Sequence, residues 1–392
     1  ITTDPVPPGS KRKSALELVL IILSLNVMLS IVVAPTNAVV PVTVKDESAD
    51  APAPKDGLEL PPSPDETLSD GLLFIVLDGG RQSLMDSQEL MPNLHSKKRN
   101  GTYIDVLTNP LTMTASCVKE MATGIPSRPN EGLNNFHPDH PGTEDGWTLA
   151  SEHDANQDGV YDYRVGIVGD YVWGDLYADN EKINFMKHRY GHADYYQGDE
   201  ESFVTLNAWL DGEVPKSNTR PGTTYQEPPN VIIAHLSGLD SVGHRYAVKN
   251  SEEYAEKLRW LDDHFETIFA KIPDSWTVVV TADHGLTDSG QHGSPDLEIR
   301  EVGAWIWGPN VKENYYYPEQ IDQRDLATLP SLLFSLPFPH AVHGKFPLDA
   351  FELSDEKYQE LDQWNWNATI SRNEWMEEND HPYFEGLTRE NI

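Results

Sequence analysis

A single cysteine, Cys117, stands in 392 residues. No intramolecular disulfide can form, and a lone thiol of this kind is expected to pack as a small apolar side chain. Basic residues are also scarce: Lys and Arg number 29 against 63 Asp and Glu, a formal net charge of -34. A duplex nucleic-acid partner would need clustered cations to neutralise phosphates, and the globular part has no such cluster. The surplus of carboxylates keeps the surface solvated and says nothing about the reaction. Internal repeats are lacking as well.

Long apolar runs are confined to one place. Ala15 to Ala34 is almost continuously apolar, broken by Glu17, Asn26 and a few serines, and has membrane-spanning length. Lys11-Arg12-Lys13 precede it, so the positive-inside rule sets residues 1–13 in the cytoplasm and the chain beyond the run outside. The expectation is a transmembrane anchor over 14–40 and an extracytoplasmic catalytic domain. Secretion after signal cleavage is the alternative, although Thr36-Asn37-Ala38 matches a cleavage site poorly. Residues 41–70 are rich in Pro, Asp, Glu and Ala and read as a disordered tether. A catalytic domain is expected over 71–350 and an acidic extension over 351–392.

From Gly71 short apolar runs recur: Leu72–Leu77, Val165–Val168, Val231–Leu236, Thr277–Thr281 and Ala304–Trp307. Each has strand length and no period-two alternation, as expected for strands covered on both faces. Between the third and fourth, Tyr254, Leu258, Leu261, Phe265, Ile268 and Ile272 fall at steps of three and four, predicting a helix from about Ser251 to Ile272. Strands separated by helices imply an α/β domain with a mostly parallel central sheet and helices on both faces.

Acidic residues then line up at strand ends. Asp78 closes the first run, Asp170 follows the second, Asp240 the third, and Asp283-His284 the fourth. Ligands of open α/β sheets bind outside the carboxyl ends of the strands. Any one aspartate in such a place is usually a turn residue or a helix cap. The set is more telling: Asp78, Asp240 and Asp283 with His244, His284 and His292 suffice to hold two divalent metals. Mixed carboxylate and imidazole ligands suit Zn2+ first and Mn2+ second, and the usual chemistry of such pairs is phosphoryl transfer. A nucleophile is available in the hydroxyl-rich turn Asn109–Ser116, where Thr114 stands just before a stretch, Cys117–Thr123, that can be helical and whose end can offer N–H groups to a phosphate.

On these blocks the chain resembles the alkaline phosphatase superfamily, in its branch of type I phosphodiesterases and GPI ethanolamine phosphate transferases. The matching segments are Val76-Leu77-Asp78-Gly79, Thr114 with Ala122-Thr123-Gly124, Gly169-Asp170-Tyr171-Val172-Trp173, and Ala234-His235-Leu236-Ser237-Gly238-Leu239-Asp240-Ser241-Val242-Gly243-His244. Ala282-Asp283-His284-Gly285, Gln291-His292-Gly293 and Asp325–Pro330 complete them in family order, over roughly residues 71 to 350. The resemblance implies that Asp78, Thr114, Asp283 and His284 hold one metal beside the nucleophile, and that Asp240, His244 and His292 hold the second. It also places Asn135 as a donor to a phosphate oxygen. Thr114 stands where a sulfatase would need Cys or Ser, which argues against that activity. Ser116 replaces a proline that relatives often carry, so a looser turn is expected. The implied reaction passes through a phosphothreonine, with water or an alcohol as acceptor and an ethanolamine phosphate or other lipid or glycolipid headgroup as candidate substrate. Phe351 to Ile392 offers no membrane span, unlike the multi-span GPI transferases, and this favours a soluble or headgroup substrate.

Three alternatives stand beside this: a nucleotide pyrophosphatase/phosphodiesterase-type hydrolase, a phosphoglycerate mutase-like enzyme, and a tethered non-catalytic binding protein. Loss of a ligand would mark the last, and all seven positions are filled. Separately, Asp154, Asn156, Asp158 and Asp162, with Gly159 at the sixth position, reproduce the first nine positions of a calcium loop. Val165 holds the twelfth position, so a structural Ca2+ pinning an insertion is the expectation, not a full EF-hand. The sequon Asn367-Ala368-Thr369 carries little weight, and the tryptophans near the C-terminus are expected to pack.

Overall fold

A computed structural model describes residues 67–127, 140, 142, 144–187, 195–214, 227–339, 341–378 and 385–389. Nine strands form a single sheet: β1 (Gly71–Leu77), β2 (Gly101–Leu107), β3 (Val165–Gly169), β4 (Asn184–Lys187), β5 (Val231–Leu236), β6 (Trp276–Ala282), β7 (Glu301–Trp307), β8 (Tyr315–Tyr316) and β9 (Ile321–Asp322). The order is β4-β3-β5-β1-β6-β7-β2-β8, with β9 also on β2. From β4 to β6 every pairing is parallel. Each residue of β1, β3 and β5 is buried, which is why these segments read as unbroken apolar runs.

The other half adds antiparallel pairings to this parallel core. β7 runs antiparallel to β6, and β2 antiparallel to β7, so the sheet is mixed. Strand β2 is Gly-Thr-Tyr-Ile-Asp-Val-Leu, with polar residues interleaved, and does not stand out as a buried run. Its Asp105 lies only partly covered and accepts from Gln82 Nε2 at 2.6 Å.

The helices that matter for the site are α1 (Thr114–Thr123), α2 (Gly146–Glu152), α3 (Tyr171–Leu176), α4 (Gln197–Leu210), α5 (Gly238–Tyr246), α6 (Glu252–Phe269) and α7 (Asp355–Glu378). Helix α6 buries Tyr254, Leu258, Leu261, Phe265 and Ile268, the stripe expected from the spacing. The Ser251 side chain caps it by accepting from Tyr254 N at 3.1 Å. It stops three residues early, since Ile272 precedes Pro273 and is pushed away from helical geometry.

Parallel pairing fixes which residues share an edge. Leu77 lies level with Leu236 on one side and Ala282 on the other, and Gly169 lies level with His235. The next residues of these strands are therefore neighbours: Asp78, Asp170 and Asp283, with α5 rising just past β5. No helix among the described residues is long and apolar enough to cross a membrane. The run from Ala15 to Ala34 and the segment holding Asn135 lie outside the described residues.

Candidate active site

Asp78 and Asp283 leave adjacent parallel strands and are 1% and 0% exposed. Gly79 N donates to Asp283 Oδ1 at 3.1 Å, tying the two strand ends together. That turn needs glycine: φ is +70°, and an added Cβ would stand 3.1 Å from Asp240 Oδ1. Asp240 sits in the first turn of α5 and His244 one turn later, so both face the same way, with His244 Nε2 3.3 Å from Asp240 Oδ2. The loop after β6 brings in His292, whose Nε2 is 3.1 Å from His244 Nε2 and 3.8 Å from Asp240 Oδ1.

His284 joins the two halves. Its Nε2 lies 3.6 Å from Asp78 Oδ1 and 3.4 Å from Asp283 Oδ2, and its ring stacks on His292 with centroids 4.1 Å apart. Two groups of side chains thus converge: Asp78, Asp283 and His284, and Asp240, His284 and His292. Thr114 opens α1, and its Oγ1 is 3.4 Å from His284 Nε2. The hydroxyl therefore meets these carboxylate and imidazole groups at a helix N-terminus, where N–H groups and the helix dipole favour an anion.

The electrostatics describe a site short of positive charge. Burial, then Asp283 and Asp240, raises the Asp78 carboxyl well above the ordinary range. Burial, then Asp240, pushes Asp283 up to about 7. Burial also works against the charge of Asp240, but the hydrogen bond from His244 and the nearby His284 and His292 outweigh it and lower its pKa. Burial holds His284 and His292 below the usual imidazole range, His292 at about 4. Asp78 Oδ1, Asp240 Oδ1 and Asp283 Oδ2 are all buried without a hydrogen-bond partner. An ionised carboxylate is acceptor-only, and buried acceptors are nearly always paired.

The imidazoles complete the fit. His292 Nδ1 is 2.8 Å from the Thr112 carbonyl and His284 Nδ1 is 3.0 Å from the Gly285 carbonyl. Each Nδ1 must donate to its carbonyl, which leaves Nε2 as a lone pair turned inward. Orphaned carboxylate oxygens and inward lone pairs are the donor set of a divalent transition metal.

The site therefore gathers all six expected metal-ligating side chains and Thr114. Asn135 falls outside the described residues. Arg81 turns away to Asp288 Oδ1 at 2.7 Å and to Glu298. Ser116 is buried inside α1, its carbonyl accepting from Ser127 Oγ at 3.0 Å. Cys117 is buried and its thiol pKa pushed up by burial and by Asp283, as suits a packed residue. Of the calcium-loop residues Asn156, Asp158 and Asp162 lie exposed and Asp154 is half-buried: Asp154 accepts from Asp158 N and Gly159 N, Asn156 from Asp158 N, and Asp162 from Ala155 N. Sequence reasoning assigned no role to His235 and Trp173, although both lie inside the blocks that carry the resemblance. The carbonyls of Thr112 and Gly285 that set the tautomers have no side-chain signature.

This constellation stands on the carboxyl edge of a mixed α/β sheet. The chain matches the family described as Type I phosphodiesterase / nucleotide pyrophosphatase over residues 72–298, and it belongs to that family. It is 26% identical over 263 residues to the catalytic subunit of GPI ethanolamine phosphate transferase 3 of Mus musculus, covering 66% of this chain and 22% of that one. With GPI ethanolamine phosphate transferase 2 of Saccharomyces cerevisiae it shares 24% identity over 319 residues, 73% of this chain and 36% of that one. The chain thus spans no more than about a third of these relatives. An inactive form of murine ectonucleotide pyrophosphatase/phosphodiesterase 5 in complex with AMP has the same fold, with a TM-score of 0.52, 13% identity, and coverage of 72% of this chain and 99% of that one.

Proposed function

We propose that the protein is a two-metal phosphodiesterase or phosphotransferase that forms a phosphothreonine at Thr114. The observation that carries this reading is the meeting of Thr114 Oγ1 with two carboxylate–imidazole groups whose inward oxygens have no other partner. Asp78, Asp283 and His284, with Thr114, would hold one ion; Asp240, His244 and His292 would hold the other. Zn2+ is the first candidate and Mn2+ the second. When bound, the ions neutralise charge on the phosphate and lower the pKa of the threonine hydroxyl.

Thr114 Oγ attacks phosphorus, an Oγ–P bond forms, and the leaving alcohol departs with a proton. An acceptor oxygen then attacks the same phosphorus from the vacated face, the Oγ–P bond breaks, and Thr114 is restored. Water as acceptor makes the protein a hydrolase; an alcohol makes it a transferase. The N-terminal turn of α1 faces the phosphate, and Asn135 is proposed as a further donor. With Arg81 engaged by two carboxylates, a singly charged diester suits this site better than a doubly charged monoester.

Similarity to the GPI ethanolamine phosphate transferases favours a phosphoethanolamine headgroup as substrate. A membrane anchor formed by residues 14–40 and an extracytoplasmic site belong to the same proposal. The test is a panel of aryl phosphodiester, aryl phosphomonoester, nucleotide pyrophosphate and phosphatidylethanolamine, with and without an acceptor sugar. Diesters are expected to show the higher kcat/KM and a phosphorylated Thr114 peptide. A clear preference for monoesters would overturn the assignment.

A further inference from the structure

The buried imidazoles at the catalytic edge occupy two opposite tautomers. His284 and His292 donate through Nδ1 to backbone carbonyls and turn a bare Nε2 inward. His235 does the reverse. Its Nδ1 lies 3.1 Å from Trp173 Nε1, and an indole N–H can only donate, so Nδ1 accepts and the ring proton sits on Nε2. The ring is fully buried. A nitrogen carrying a proton cannot ligate a metal, so His235 is no further ligand despite its place.

Its Nε2–H has no hydrogen-bond partner, and it faces Asp78 Oδ2 at 3.9 Å. Asp78 Oδ1, on the other side of the same carboxyl, is itself unpaired. Bringing Oδ2 into hydrogen-bond range needs a shift of about 1 Å, within reach of a turn of the Asp78 side chain. The backbone around His235 has no such freedom. Gly169 packs against it at φ +111°, and a Cβ there would sit 2.0 Å from the His235 carbonyl oxygen. The ring is thus held by strand register on one side and by Trp173 on the other.

We propose that His235 is a positioning residue for the metal site: its Nε2–H donates to Asp78 Oδ2 and so presents Oδ1 to the cation, while Trp173 fixes the tautomer that makes this possible. The proposal rests on the two-metal reading, and its test separates the two. Nitrogen-15 NMR of the metal-free protein reads the tautomer directly; protonated Nε2 and bare Nδ1 are expected at His235, and the opposite tautomer overturns the inference whatever the metal content. The full chain is then titrated with Zn2+ against a chromophoric chelator. Wild type should take up two ions, and a chain that takes up none removes the two-metal reading together with this inference. His235→Leu should weaken one of the two by about 10- to 100-fold, the range for losing a partner of a ligand, and leave the other unchanged. His235→Gln, which restores an N–H at a similar reach, should recover most of that loss; failure to recover it would mark a packing role instead. Folded His235→Leu binding both ions like wild type contradicts the proposal. If the leucine variant does not fold, Trp173→Phe decides: it should mix the tautomers and weaken the same ion, and unchanged affinity overturns the inference.

Discussion

Two clusters of acidic side chains in this protein differ in what their oxygens touch. At the carboxyl edge of the sheet, Asp78, Asp240 and Asp283 are buried, and each keeps one oxygen without a hydrogen-bond partner. In the loop from Asp154 to Asp162 the carboxylates are exposed or half-buried and accept from backbone N–H groups of their own turn. Both clusters looked like cation sites in the sequence. Only the first has the donors that a cation would satisfy: buried carboxylates side by side, each with an oxygen that lacks a hydrogen-bond partner. The loop is held by its own peptide groups, helped by Gly159 at φ +85°.

The largest effect expected concerns the hydroxyl that the buried cluster alone possesses. Thr114→Ala should lower turnover by about a thousandfold or more, because a nucleophile acts as part of a unit. The fold should survive, since Met113 and not Thr114 holds the N-cap position and alanine favours a helix. Circular dichroism and kcat measured together check this, and near-normal turnover in a folded variant would remove the distinction between the clusters.

Next in size is ligand loss. Asp240→Asn keeps the shape of the side chain and removes its charge, so one of the two transition metals should be lost from the protein at stoichiometric zinc. Elemental analysis reads the count. The same measurement on Asp158→Asn should show no change; equal losses in both variants would mean that the loop, too, depends on a transition metal.

Glu120 separates burial from lack of partners. It is 2% exposed, yet it accepts from Ser127 N at 2.6 Å and from Asn109. Burial raises its pKa to about 7 from 4.5, against the pull of those hydrogen bonds. A carboxyl with a raised folded-state pKa contributes stability fully present below its unfolded value and lost as pH rises through about 7. Glu120→Gln cannot ionise, so its melting temperature relative to wild type should rise between about pH 5 and about pH 8. A difference that stays flat with pH would show that Glu120 titrates normally.

The smallest effect is expected in the loop. Each carboxylate has about four acceptor positions and uses only some of them on N–H groups, so we propose weak calcium binding there. Calcium should raise the melting temperature of wild type by linkage and not that of Asp158→Ala. An equal response in both would reduce the loop to a turn.

The legible parts of the molecule were those where one residue type suffices. Strands β1, β3, β5 and β6 are covered on both faces, so burial writes itself as apolar runs, and their parallel register then brings Asp78, Asp170 and Asp283 to one edge. Strand β2 was missed because Thr102 and Asp105 interrupt its apolar residues, and with it went the antiparallel flank of the sheet. The candidate ligands Asp78, Asp240, His244, Asp283, His284 and His292 were readable as residue types in order. What converts them into a site was not: the tautomers of His284 and His292 depend on carbonyls of Gly285 and Thr112. Likewise the aim of His235 depends on strand register and on an indole from α3. Backbone groups belong to every residue, and nothing in a sequence marks the few that point at an imidazole.

The most direct test of the central claim is the metal content of the purified full chain, measured alongside its activity. About two transition-metal ions per chain are expected, with phosphodiesterase or transferase activity that disappears in chelator and returns with zinc. Protein that contains no transition metal and turns over a phosphodiester at full rate in chelator would contradict it.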